Sequence, residues 1–128
     1  MRALVSALMK DGFTAELHEP DGNDPLGGVI DIRGDFGLVE VVSFADRLPA
    51  VIRDALAAEA VPIRSGSGLR VVPMAQLVAL KLYAGGLGSK ADILELLRRN
   101  PEADLETIRA TWRRYRLRGL DAILTELD

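Results

Sequence analysis

Cysteine is absent from the 128-residue chain, which excludes disulfides and thiolate-held metal. Histidine occurs once, at His18, so a histidine-rich metal site is excluded as well. No apolar run approaches the roughly 18 residues that a membrane span needs. A basic excess is also missing. Lys and Arg number 16 against 19 Asp and Glu, a net charge of -3, so there is no chain-wide field for nucleic acid, although a local basic patch stays open. The opening stretch "MRALVSALMKDGF" turns polar at Lys10 and Asp11 and has no A-x-A-like cleavage site, so it reads as an amphipathic helix and not a signal peptide. A cytoplasmic protein with no membrane segment is the expectation.

What is present is ordinary for a folded domain: 48% hydrophobic and 27% charged residues. The length fits one domain with a modest core. Ala3, Leu4, Ala7 and Leu8 recur at helical spacing until Gly12. "FTAELHE" alternates, with Phe13, Ala15 and Leu17 against Thr14, Glu16 and His18, which predicts a half-buried strand. "PDGNDPLGG" is a loop by composition. Its "DGND" lacks the spacing and terminal Glu of an EF-hand calcium loop. "VIDIR" and "LVEVVSF" are β-branched runs around "GDFG" and predict a hairpin. A four-residue loop there pairs Arg33 with Leu38 and sets Asp31 opposite Glu40, leaving Ile30, Ile32, Val39 and Val41 on the other face. Two facing carboxylates repel, so that pair is either solvated or bridged by a cation.

The remainder reads as helical. Pro49 opens a helix bearing Val51, Ile52, Ala55 and Leu56. "VPIRSGSGLRVV" is a turn-rich link with a short strand expected over 69–72. Pro73 starts a helix expected to bury Leu77, Leu80 and Ala84. A fourth helix runs from Ser89 to Asn100, stopped by Pro101. Asp104 caps a fifth, with Leu105, Ile108, Trp112 and Tyr115 inward. Leu120, Ile123, Leu124 and Leu127 make a short last helix. One α+β domain is expected, with a small antiparallel sheet of about three strands in an α/β part over 1–72 and helices over 73–128.

The stretch "KLYAGGLGSKADI" looks like a phosphate loop at first. A Walker loop needs G-x-x-x-x-G-K-[ST] between a strand and a helix. Here Lys90 follows Ser89, Ala91 stands where the magnesium-binding hydroxyl belongs, and a helix precedes the glycines. A helical corner fits better. Gly85 or Gly86 ends one helix in the left-handed conformation, and Ser89 with Asp92 opens the next as a capping box.

The same region resembles a known family. "LRVVPMAQLVALKLYAGGLGSKADILELL" is similar to the post-catalytic part of nucleotidyltransferase-like proteins of the DNA polymerase β-type superfamily, in the branch of abortive-infection toxins. "DPLGGVIDI" and "GLVEVVSF" resemble that family's strand pair, so the likeness covers about residues 12–97. It implies that Glu40 stands at the third catalytic carboxylate, Lys81 at the helix lysine and Asp92 at the last acid of a K-D-x-x-D step, where Gly88 and Ser89 replace Lys and Asp. Lys81 and Asp92 are thereby the candidate nucleotide-binding residues. Asp31 and Glu40 are the candidate metal ligands, for magnesium with a nucleoside triphosphate.

The family's G-[GS] turn and D-x-D strand, which hold its two metals, have no counterpart here, and the chain starts about where the family's second helix does. Glu40 with Asp31 gives at most two of the several carboxylates such a centre needs. The likeness therefore implies a catalytically incomplete protein with a binding or partner role, as in a toxin–antitoxin or defence setting. Its hairpin would present an unpaired edge for a second copy or a protein partner. The alternatives are an active nucleotidyltransferase completed by a partner or an upstream segment, and a small RNA-binding module. For the latter, "RATWRRYRLRG" supplies Arg113, Arg114 and Arg116. Trp112 and Tyr115 share a side with Ile108, which favours a solvated arginine face with its aromatics packed in the core, rather than an RNA-contacting patch.

Overall fold

The computed structural model describes residues 1–22, 24–57 and 62–127. The protein is α+β, with a three-stranded antiparallel sheet ordered β1-β2-β3 and a helical C-terminal half. Its elements are α1 (Arg2–Lys10), β1 (Thr14–His18), β2 (Val29–Gly34), β3 (Gly37–Val42), α2 (Pro49–Ala57), α3 (Met74–Ala84), α4 (Gly86–Arg99), α5 (Leu105–Arg114) and α6 (Leu120–Leu124). They form two compact units, Met1–Leu48 and Pro49–Asp128.

In the first unit, α1 packs on β1. Val5 and Leu8 are its half-buried residues, while Leu4 is 42% exposed, so the inward stripe is rotated from the Ala3–Leu4–Ala7–Leu8 pattern. The hairpin register is the expected one: Arg33 opposes Leu38 and Asp31 opposes Glu40. Pairing continues to Gly34 and Gly37, so only Asp35 and Phe36 lie between the paired ends, and Gly37 takes φ 94° to close the turn. Phe36 at this tip reaches Phe13, ring centroids 6.1 Å apart.

One sheet face carries Ala15, Ile32 and Val39 in one cross-strand row and Leu17, Ile30 and Val41 in the next. Ile30 and Ile32 are buried. The other face is mixed, with Val29, Leu38 and Val42 beside its polar and charged residues. At the far end the ladder finishes in a bulge, where Ser43 accepts from the Gly27 N–H and donates to the Gly28 carbonyl. There Gly27 runs so close to Ala45 that a Cβ would stand 2.5 Å from the Ala45 Cβ.

The second unit is built on α3, which packs against α2, α4 and α5. Its core holds Ala75, Val78, Ile93, Leu97, Ile108, Leu120, Ile123 and Leu124. The buried residues of α3 are Ala75, Val78 and Ala79, and not Leu77, Leu80 and Ala84, which are half-buried. A helix with neighbours on three sides is apolar nearly all round, so its periodicity cannot choose an inward face. The alanines win because they let neighbouring helices approach closely. The strand expected over 69–72 is reduced to a single bridge, Pro62 with Arg70. Ile63, Leu69 and Val71 stay exposed at 63%, 69% and 57%. Val61, in the same link, lies outside the described residues, as does Asn23 of the "DGND" loop.

Asp104 caps α5 as expected, its carboxylate accepting from the Thr107 N–H at 3.0 Å and the Thr107 hydroxyl at 2.6 Å. The α6 residues Leu120, Ile123 and Leu124 are buried. Among the described residues, no helix is long and apolar enough to cross a membrane.

Candidate functional site: a carboxylate row on the sheet and two ion-paired helix clusters

The open face of the sheet carries a row of three acids. Glu16 on β1 is opposite Asp31 on β2, which is opposite Glu40 on β3. Strand alternation places them together, since residues two apart share a face and directly paired residues are neighbours. Like charges in such a row repel. The charge at the centre is met by two nitrogen-bearing side chains in the neighbouring rows of the same face. His18 Nε2 lies 3.4 Å from Asp31 Oδ2, and the Arg33 guanidinium donates to the same oxygen at 3.3 Å. Asp31 is half-buried between them, while Glu16 and Glu40 are exposed. Among the described residues, Glu40 has no ion pair.

The glycine corner brings the other two candidate residues together. Gly85 and Gly86, at φ 70° and 80°, reverse the chain between α3 and α4 in two residues. Because the reversal is so short, α4 starts at Gly86 and Ser89 lies inside it. The expected Ser89–Asp92 capping box is therefore not formed, and the α4 N-cap is Gly85 with no side-chain cap. Asp92 instead faces back across the corner and accepts from Lys81 Nζ at 2.5 Å. The two residues that the family likeness assigns to nucleotide binding thus neutralise each other. Lys90 on the same helix is paired with Glu126.

The arginine segment is divided in its roles. Arg109 pairs with Glu106 on its own helix. Arg114 reaches α2, where its guanidinium lies 2.9 Å from Asp54 Oδ2 and 5.7 Å from the Tyr115 ring centre. The Tyr115 hydroxyl donates to that Asp54 oxygen at 2.7 Å, and Arg53 approaches the other carboxylate oxygen at 3.4 Å. This network holds the Asp54 carboxyl below its ordinary range: the Tyr115 hydroxyl acts most strongly, burial opposes it, and the Arg114 and Arg53 guanidiniums add to the lowering. Tyr115 moves the other way, upward, mainly because it is buried and then because it donates to Asp54. Arg113 and Arg116 are exposed and have no ion pair among the described residues. Arg116 sits in the left-handed region at φ 54°.

Asp54 was not singled out from the sequence. The signal was there: it lies three residues after Val51 and one before Ala55, next to the buried stripe of a helix whose one other charged residue is Arg53. A carboxylate in that position needs a partner.

Among the described residues, no group of three or more His, Asp or Glu side chains is placed to hold a metal ion. Asp31 and Glu40 face each other, but an Asp31 oxygen is already engaged by His18 and Arg33. The described residues do not make a two-metal centre. Comparison with known proteins finds no matching family model, no matching curated protein and no matching solved structure.

Proposed function

We propose that this chain is a nucleotidyltransferase-like protein that does not transfer nucleotides by itself and acts by binding a protein partner. The observation that carries this reading is β3. It is an edge strand in the order β1-β2-β3, and Leu38, Val39 and Val42 on it are 48%, 47% and 41% exposed. An edge strand with apolar side chains on both faces is a template for a further strand. The pairing of Lys81 with Asp92, and of Asp31 with Arg33 and His18, supports the loss of catalysis, because those groups are held by each other.

Catalysis is tested by incubating the protein with labelled nucleoside triphosphates, magnesium and bulk RNA. The expected result is no incorporation above that of the Glu40→Gln variant. Robust transfer abolished by Glu40→Gln would overturn this reading in favour of an active enzyme.

A further inference from the structure

We infer that β3 accepts an extended partner segment as a fourth antiparallel strand, and that this segment carries a lysine or arginine opposite Glu40. The inference rests on the partner-binding reading and names the chemistry of the partner.

The backbone of β3 is set for this. Ser43 is hydrogen-bonded to Gly28, and antiparallel pairs alternate between bonded and unbonded. With the observed register, Val41 and Val39 bond back to β2. Leu38, Glu40 and Val42 then direct their N–H and C=O groups away from the sheet. Three successive outward positions give a docking strand a ladder of the usual length.

The side chains choose the occupant. Glu40 ends the acidic row Glu16–Asp31–Glu40 on the side where β3 has no neighbour. Asp31 has His18 and Arg33 beside it, whereas Glu40 has no ion pair among the described residues. A fourth strand puts one residue directly opposite Glu40, at cross-strand pairing distance. A cation there pairs with Glu40 and offsets the row of like charges. An acid there lengthens the run of like charges. The flanking partner residues meet Val39 and Val41 on the apolar face, so the preferred pattern is apolar–basic–apolar.

The same argument disfavours a second copy of this chain. A two-fold axis normal to the sheet pairs β3 with itself around one residue. The register with full overlap centres on Glu40 and sets it against its own copy. Moving the centre to Val39 or Val41 removes that clash and loses a bonded pair.

The test uses the isotopically labelled protein and two acetylated peptides, Ser-Thr-Val-Lys-Val-Thr-Ser and the same peptide with Glu in place of Lys, followed by amide chemical shifts. The lysine peptide should perturb Leu38, Glu40 and Val42 most strongly. It should bind about five- to tenfold more tightly than the glutamate peptide, and Glu40→Lys should invert that order. Val42→Pro removes an outward N–H that β2 does not use, so it should abolish binding while leaving the circular dichroism spectrum unchanged.

Equal binding of both peptides, or no binding of either, overturns the inference. So does a dimer of the protein alone that Val42→Pro dissociates. None of these outcomes bears on catalysis, which the nucleotide-transfer assay decides separately.

Discussion

Asp54 ties α2 to the C-terminal end of α5 through Tyr115 and Arg114, and the contact shifts the Asp54 carboxyl and the Tyr115 hydroxyl in opposite directions. The Asp54 carboxyl lies below its ordinary value of 3.8, so its contribution is complete above that pH and lost as the pH falls through the lowered value. The Tyr115 hydroxyl lies above its ordinary value of 10.0, so its contribution is complete below that pH and lost as the pH rises through the raised value. The hydrogen bond between them needs a neutral tyrosine and a charged aspartate, and both hold across the neutral range. Tyr115→Phe should therefore lower the melting temperature at pH 7 by a few degrees, and Arg114→Ala should lower it too. Arg113→Ala, one residue away and exposed without an ion pair among the described residues, should leave it unchanged. Melting curves of the three variants check this, and equal effects of Arg113→Ala and Arg114→Ala would show that Asp54 does not distinguish them.

Among the elements, the α3–α4 corner gives the sharpest contrast, because its glycines occupy different backbone regions. Gly86 is at φ 80°, whereas Gly88 lies in the body of α4 outside the left-handed region, and a Cβ at either would meet nothing within 4 Å. Space therefore plays no part, and backbone preference alone decides. Gly86→Ala should cost about 1–2 kcal/mol for forcing a side chain into the left-handed region. Gly88→Ala should stabilise by about 0.5–1 kcal/mol through higher helix propensity. Chemical denaturation of the two variants checks both signs. The sequence made the corner legible, since two glycines between apolar repeats end a helix. It left open which residue starts the next one, because "S-x-x-D" satisfies the capping rule equally well three residues later. The hairpin was more legible still: the short "GDFG" loop between two β-branched runs sets Asp31 opposite Glu40, and a one-residue slip would expose Ile30 and Ile32. The inward face of α3 was hidden, because apolar residues all around a central helix carry no phase. Asp54 and its partners were hidden for another reason. They are 61 residues apart in the chain, and no local pattern joins an acid on one helix to a tyrosine at the end of another.

At the scale of the whole molecule, two stabilised carboxylates fall within one unit. Among the described residues, the carboxyls held below their ordinary range are Asp54 and Asp104, both in Pro49–Asp128. Asp104 is lowered first by the Thr107 hydroxyl and then by backbone N–H groups at the start of α5. Protonation removes the α5 cap and the α2–α5 tie together. The chain's one tryptophan, Trp112, sits on α5 and packs against the helical core, so its emission reports this unit. The transition in Trp112 emission between pH 7 and pH 2 should therefore depend on these two acids. In the Asp54→Asn, Asp104→Asn double variant, denaturant stability should be lower at pH 7 and fall less on acidification than in the unaltered protein, because the linked protons are no longer taken up. A double variant with the full acid dependence would place the controlling carboxylates elsewhere in the chain.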